Sequence, residues 1–377
     1  MVYDTQKLIE NTTKNTDAMR FLEGIDISSA ELVIAQTMHD VYKLKGNTAR
    51  QGAYIKLAKA GKDGPDQREM EIEAQWYNVF REEFNLPRAP RAITFSLDNG
   101  NFALVVDEVQ GETYDVIFRE QAKEGKLADS KEVRMVIKLS TRIAVEGAKY
   151  HANNSDDRSQ AYFGEFNANE FGFLNGRTLK ILRINNFASA DSLERLLAST
   201  EESITNQKSR LFYRDATPLN NVKSGEHTVA IDLGTTSYRP PQFEAIALFE
   251  TPNTGFETLS EEQKTELLLD FKRELESHGA IVGSDIEFLT MYGLASVIKN
   301  GSGFASRMDH IAKNKADIKS GDEQTKAIAS KRLVGNIEGK DFHRDRAVVA
   351  LAMSELFFKN AGLSQDFVRV KKELECL

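Results

Sequence analysis

The sequence predicts a two-lobed α+β fold: a small antiparallel-sheet lobe with one helix, then a large lobe that is mainly helical. Three observations predict it. Short β-rich runs crowd residues 31–107, helical periodicity dominates after Gly111, and 377 residues exceed one ordinary core. The division is expected near residues 107–112, as lobes 1–109 and 110–377, with a ligand site at their junction.

The small lobe opens on residues 4–22, read as a helix carrying Leu8, Ile9, Met19, Phe21 and Leu22. Residues 31–35, 41–45 and 53–58 then read as three consecutive antiparallel strands, the last two joined by a turn-like 46–52. Past Gly64-Pro65, residues 66–84 place Ile72, Trp76, Val79 and Phe80 at the spacings of a helix face. Residues 92–96 and 102–106 add two strands around a turn at Asp98-Asn99-Gly100.

In the large lobe, Asp129-Ser130-Lys131-Glu132 is a capping-box pattern ahead of Val133, Val136, Ile137, Ser140 and Ala144. Asp191-x-x-Glu194 opens a second helix, with Leu193, Leu196, Leu197, Thr200 and Ile204 on one face. A hairpin spans 221–231 and turns at Ser224-Gly225-Glu226. Ser260-x-x-Gln263 caps a helix with Leu267, Leu268, Phe271 and Leu275 inward. Residues 285–299 and 344–360 read as helices, with the Lys-rich 311–332 as a solvated helix or loop.

Composition narrows the partners. Forty-nine Lys and Arg against 57 Asp and Glu leave a net charge of −8, the wrong field for a nucleic-acid partner. A single cysteine, Cys376, permits no internal disulfide, and the six histidines show no zinc spacing. The first residues hold acids and amides where a leader would need an apolar run, and no apolar run of membrane length occurs. The expectation is a soluble, cytoplasmic protein with no membrane partner. Its oligomeric state leaves no sequence signal.

Chemistry concentrates in Tyr213-Arg214-Asp215-Ala216-Thr217-Pro218-Leu219-Asn220, followed by Ile231-Asp232-Leu233-Gly234. An Asp, an Asn five positions on, and a hairpin ending in Asp-x-Gly suit phosphoryl transfer. Asp215 on a loop orients an attacking hydroxyl or accepts its proton. Asn220 and Asp232 are hard oxygen donors for Mg²⁺, brought together by the hairpin between them.

Those motifs are similar to the His-Arg-Asp loop and Asp-Phe-Gly element of the protein-kinase-like superfamily, and resemble most the aminoglycoside phosphotransferase and choline kinase branch. The resemblance implies a bilobal kinase-like fold that uses ATP and Mg²⁺ to phosphorylate a hydroxyl of a small-molecule acceptor. It also implies that Lys56 holds the nucleotide phosphates and that Glu73 pairs with it, Glu69 and Glu71 being rivals for that part. The backbone of Asp107, Glu108 and Val109 is implied to meet adenine, and that of Thr37 to His39 the phosphates. The branch is suggested by the 107 residues from Glu108 to Asp215, a long helical insertion, and by the absence of an Ala-Pro-Glu element after Asp232.

Two departures keep other readings open. Tyr213 stands where the superfamily has His, and residues 35–40 contain no glycine where a glycine-rich loop is usual. They motivate a nucleotide-binding pseudokinase as the alternative. Arg214, with Thr235, Thr236 and Ser237 as modifiable residues, motivates a protein kinase. An aromatic and acidic tract at 163–173 reads first as loop aromatics anchored on the helical lobe, the alternative being an acceptor cage for a cationic substrate built of ring faces and carboxylates.

Overall fold

Alternating burial on the third strand of the small lobe sets the geometry of everything near it. The computed structural model describes residues 4–35, 39–47, 51–58, 65–97, 101–153, 164–165, 168–207, 210–234 and 236–377. Strands β1 (Ile25–Ala35), β2 (His39–Gly46), β3 (Ala53–Ala58), β4 (Ala92–Ser96) and β5 (Phe102–Asp107) form one sheet in the order β1-β2-β3-β5-β4. All its pairings are antiparallel. On β3, Ala53, Ile55 and Leu57 are buried against the helices that open the chain. The period of two therefore turns Tyr54 and Lys56 to the opposite face. Lys56 sits in register with Val41 on β2 and Leu104 on β5.

The opening helix is two helices, α1 (Thr5–Lys14) and α2 (Thr16–Phe21), rather than one. Asn15 breaks it: its backbone is extended and its side chain accepts from the Ala18 N–H at 2.9 Å, as an N-cap. Helix α3 (Pro65–Glu82) packs on the other face of the sheet. Trp76 and Phe80 join Phe102 and Leu104 there, in a core that reaches Ile143, Phe212 and Leu233 of the large lobe. That shared core ties the two lobes together. Residues 98–100, read as a turn, lie outside the described residues.

The connection between lobes is pinned by a short strand that sequence patterning did not show. Strand β6 (Glu112–Thr113) pairs with β9 (Asn221–Ser224), which pairs with β10 (His227–Ala230). Gly111 makes the approach possible. Its φ is +149°, and a Cβ there would lie 2.0 Å from the Lys223 carbonyl oxygen. Two further short strands, β8 (Leu211–Tyr213) and β11 (Ser237–Arg239), pair antiparallel, and β7 (Gly164–Glu165) joins β11 in parallel. Strand β7 is the part of the 163–173 tract whose pairing is described.

Helices supply the rest: α4 (Tyr114–Lys123), α5 (Lys131–Asn153), α6 (Ala168–Ile184), α7 (Ala190–Thr205), α8 (Gln242–Phe249), α9 (Glu261–Ser277), α10 (Asp285–Ser320), α11 (Glu323–Met353), α12 (Glu355–Asn360) and α13 (Ser364–Cys376). Helix α8 is buried at every position and forms the axis of the lobe. The capping box at Ser260 and Gln263 is present on α9. At α5 the cap is Ser130, not Asp129: its hydroxyl accepts from the Glu132 and Val133 N–H groups. Asp191 lies inside α7 and pairs with Arg183 instead of capping. The Lys-rich 311–332 stretch is the tip of a long helical hairpin, with Gly321 and Asp322 between α10 and α11. No helix among the described residues is long and apolar enough to cross a membrane.

Within that hairpin the His343 ring fills the space left by the missing side chain of Gly303, and its Nδ1 lies 2.9 Å from Asn300 Oδ1. Burial, with Arg307 and Lys299 nearby, pushes His343 down to about 4. The folded state therefore binds fewer protons than the unfolded state between pH 6.5 and 4. Stability from this group is full above pH 6.5 and falls as the pH drops through that window, by at most roughly 3 kcal/mol. Denaturant unfolding at pH 7 and pH 4.5 should show this loss, and His343→Gln should reduce it. An unchanged pH slope in the variant would reject the assignment.

Candidate active site

Three charged side chains from three elements meet at one point between the lobes. Lys56 Nζ on β3 lies 2.8 Å from Glu73 Oε2 on α3 and 2.9 Å from Asp232 Oδ1 just beyond β10. Glu73 is buried and Asp232 half-exposed. Although burial opposes its charge, the two carboxylates hold the Lys56 ammonium above its ordinary value. Glu73 is thus the partner of Lys56. Glu71 instead accepts from the Gln67 amide, and Glu69 lines the rim of the cleft.

Tyr77 closes the cluster and was not singled out from the sequence. One helical turn after Glu73, it donates to Glu73 Oε1 at 3.4 Å and accepts the Asp232 N–H at 2.8 Å. Burial and the Glu73 carboxylate push its phenol well above the usual range, so it remains a donor. The i, i+4 spacing from Glu73 was the available signal. What it could not show is the backbone of residue 232 beneath the ring.

Asn220 and Asp232 come together as the hairpin demands. The Ile231 N–H bonds the Asn220 carbonyl at 2.9 Å, which puts the two donors side by side at the hairpin's open end. The Asn220 amide nitrogen bonds the Asp215 carbonyl at 3.0 Å, leaving its side-chain oxygen for a cation. Asp215 and Asp232 both hold left-handed backbone, at φ of 57° and 56°, a region uncommon for non-glycine residues.

Arg214 is the hidden support of this loop. Fully buried, it bonds Asn221 Oδ1 at 2.8 Å, Ser140 Oγ at 3.2 Å and, at 3.5 Å, the Asn220 carbonyl. Its charge faces Glu244 at 3.7 Å. Burial lifts that carboxyl to about 7, against the pull of Arg214. Tyr213 has a defined task too: its hydroxyl donates to Asp215 Oδ1 at 3.0 Å, and Arg239 stacks 4.3 Å from its ring centre. Tyr213 therefore orients the Asp215 carboxylate.

Lys56, Glu73, Tyr77, Asn220 and Asp232 border a cleft of about 630 Å³ whose apolar walls include Val41, Leu104, Val106, Val222 and Ile231. Asp107 and Val109 line it, but Glu108 does not. The Glu108 N–H bonds the Gly52 carbonyl at 2.8 Å and its carboxylate pairs with Lys43 at 2.7 Å. The Asp107 carboxylate is held by Arg91 at 2.7 Å. Thr37 lies outside the described residues. The backbone of His39 opens β2 opposite Ala58.

No family model matches the chain, and no curated protein does. Solved structures are similar to it, three of them as follows. An ethanolamine kinase of Plasmodium vivax is 11% identical over 88% of this chain and 92% of its own, with a TM-score of 0.47. An amicoumacin kinase in complex with AMP-PNP, Ca²⁺ and Ami is 10% identical over 90% of this chain and 96% of its own, at 0.49. A thermostable aminoglycoside phosphotransferase variant with AMP-PNP and hygromycin B is 10% identical over 85% of this chain and 96% of its own, at 0.39.

Proposed function

We propose that the chain is an ATP-dependent phosphotransferase that moves the γ-phosphoryl group to a hydroxyl of a small molecule. The observation that carries this reading is the Lys56 ammonium held between Glu73 and Asp232 at the mouth of an apolar cleft. A lysine so placed presents a fixed positive charge to phosphate oxygens while the cleft wall takes a planar base.

Asn220 and Asp232 fit Mg²⁺, which takes few hard oxygen donors from protein and completes its shell with phosphates and water. Bound there, the ion supplies charge neutralisation to the phosphate oxygens. The chain's own residues do the rest. Tyr213 and the left-handed turn at residue 215 aim the Asp215 carboxylate at the acceptor hydroxyl. As that oxygen bonds the γ-phosphorus, its proton passes to Asp215 and the bond to the bridging oxygen breaks, releasing ADP. Catalysis by this route is positioning and electrostatics, with little covalent chemistry asked of the protein.

A panel of hydroxyl-bearing metabolites screened for ATP-dependent ADP release, with Asp215→Asn as the control, tests the reading. Turnover of at least one acceptor, absent in the control, is expected. Nucleotide binding without any turnover would favour a pseudokinase. Lys56→Met should weaken Mg·AMP-PNP binding about tenfold or more, the loss of one charge-assisted contact. Asp232→Ala should remove the Mg²⁺ dependence of that binding, as titrations with and without the metal would show.

A further inference from the structure

The five-stranded sheet ends on β4, and among the described residues no strand pairs with its outer side. Which backbone groups face outward follows from the register. The Arg91 carbonyl accepts the Asp107 N–H at 3.0 Å, and the Leu97 N–H bonds the Asn101 carbonyl at 2.8 Å. With Ala92 opposite Val106 and Ser96 opposite Phe102, the residues at odd positions of β4 therefore make the ladder bonds to β5. The N–H and C=O groups of Ala92, Thr94 and Ser96 point the other way, to the free edge. Among the described residues nothing there bonds to them.

Sheet edges are ordinarily kept from pairing by charge, proline or a covering segment. Residues 92–96 read Ala-Ile-Thr-Phe-Ser, with neither charge nor proline. Ala92 is buried, Thr94 half-buried and Ser96 exposed, so the edge opens toward its C-terminal end.

Beside this edge lies a groove of about 570 Å³ between β4 and α3. Glu71 and Glu82 of α3 line it, with Glu83 just past the helix end, and no lysine, arginine or histidine does. Glu82 and Glu83 are exposed and enter no ion pair among the described residues. Both stand at the C-terminal end of α3, where the helix dipole disfavours negative charge, so they do nothing for the helix itself. Glu73 and Tyr77, which serve Lys56, lie on the opposite side of α3 from residues 71, 78 and 82. The groove and the cleft that holds Lys56 have no lining residue in common.

An unpaired backbone edge is complemented by another backbone, and carboxylates by cations. A second copy of the chain would set the same three carboxylates against themselves, in a protein of net charge −8. A basic segment meets both demands.

We propose that the β4 edge and its groove dock an extended, lysine- or arginine-rich segment of a partner protein, which adds a strand to the sheet beside β4. The backbone of that segment pairs with Thr94 and Ser96, and the side chains it turns toward α3 meet Glu71, Glu82 and Glu83. This docking does not depend on the phosphotransferase reading.

Fluorescence anisotropy of the full chain tests it, with a fluorescein-labelled peptide of alternating Lys-Val and Lys-Thr pairs. Two control peptides carry glutamate for each lysine, or proline for each valine and threonine. Saturable binding of the lysine peptide is expected, with a Kd of roughly 100 µM or below, and both controls should bind at least about tenfold more weakly. Glu82→Lys combined with Glu83→Lys should weaken the lysine peptide about tenfold or more. Thr94→Pro removes an outward N–H that the ladder to β5 does not use, so it should weaken binding by a similar factor with little change in the urea midpoint. Should that variant fail to fold, the proline peptide makes the same test from the partner's side.

Absence of saturable binding by the lysine peptide overturns the proposal. So does equal binding of either control, which would leave charge alone or backbone alone as the cause. Dimers of the chain in sedimentation that Thr94→Pro abolishes would assign the edge to a second copy, and would overturn it as well.

Discussion

Asp215→Ala is expected to lower phosphoryl transfer about 10²–10⁴-fold, the range of a general base, while nucleotide affinity stays within about twofold. The split follows from the geometry. Asp215 does not line the cleft that holds Lys56, and the Asn220 amide grips its backbone carbonyl rather than its carboxylate. The side-chain oxygens of Asn220 and Asp232 therefore keep their places when the side chain is shortened. Alanine does carry a penalty at a φ of +57°, since left-handed backbone suits Asp and Asn better. Asp215→Asn removes that ambiguity: it keeps the turn and a hydrogen bond to Tyr213 but cannot take up a proton. Both variants should lose turnover alike, measured as initial rates beside an AMP-PNP titration. Activity within tenfold of wild type in Asp215→Asn would rule out the proton-accepting role.

Glu250→Ala should have the largest effect on stability, about 3–5 kcal/mol, the cost of leaving a buried charge unpaired. Glu250 is 1% exposed and receives Tyr292 at 2.8 Å, Ser296 at 2.8 Å and Arg346 at 2.9 Å, with Asn300 as a fourth donor. Against the penalty of burial, the Arg346 charge and these donors hold its carboxyl below its ordinary value. The cluster ties the end of α8 to α10 and α11, and Arg346 reaches on to Glu261 at the start of α9. Removing the carboxylate leaves Arg346 facing only the half-exposed Glu261. Urea unfolding should show a lower midpoint with an unchanged slope. Glu250→Gln, which can still accept from Tyr292 and Ser296, should lose less. A change below about 1 kcal/mol in Glu250→Ala would show that the cluster contributes little to holding the lobe together.

The groups around Lys56 were more legible in the sequence than those around Asp215, for a physical reason. Lys56, Glu73, Asn220 and Asp232 each sit in a local pattern: a strand, a helix face, or a hairpin whose ends must meet. Alternation on β3 alone is enough to turn Lys56 away from the Ile55 side of the sheet. Glu108 is instructive in the other direction. Its position after β5 suggested contact with a base, but its amide is taken by the Gly52 carbonyl and its carboxylate by Lys43, both partners set by the packing of the sheet. The same limit applies to Asp191, a good capping residue that an arginine on the preceding helix holds instead.

Local chemistry written in the chain determined the order of strands and helices, the strand alternation and the Asp215–Asn220–Asp232 spacing, because those depend on neighbours a few residues away. Only the tertiary structure decided that Tyr77 props residue 232, that Arg214 underpins the loop that carries Asp215, and that Glu250 is clasped from 96 residues away by Arg346. Those pairings are set by how helices pack, and a charge chooses its partner only once packing has taken it out of water.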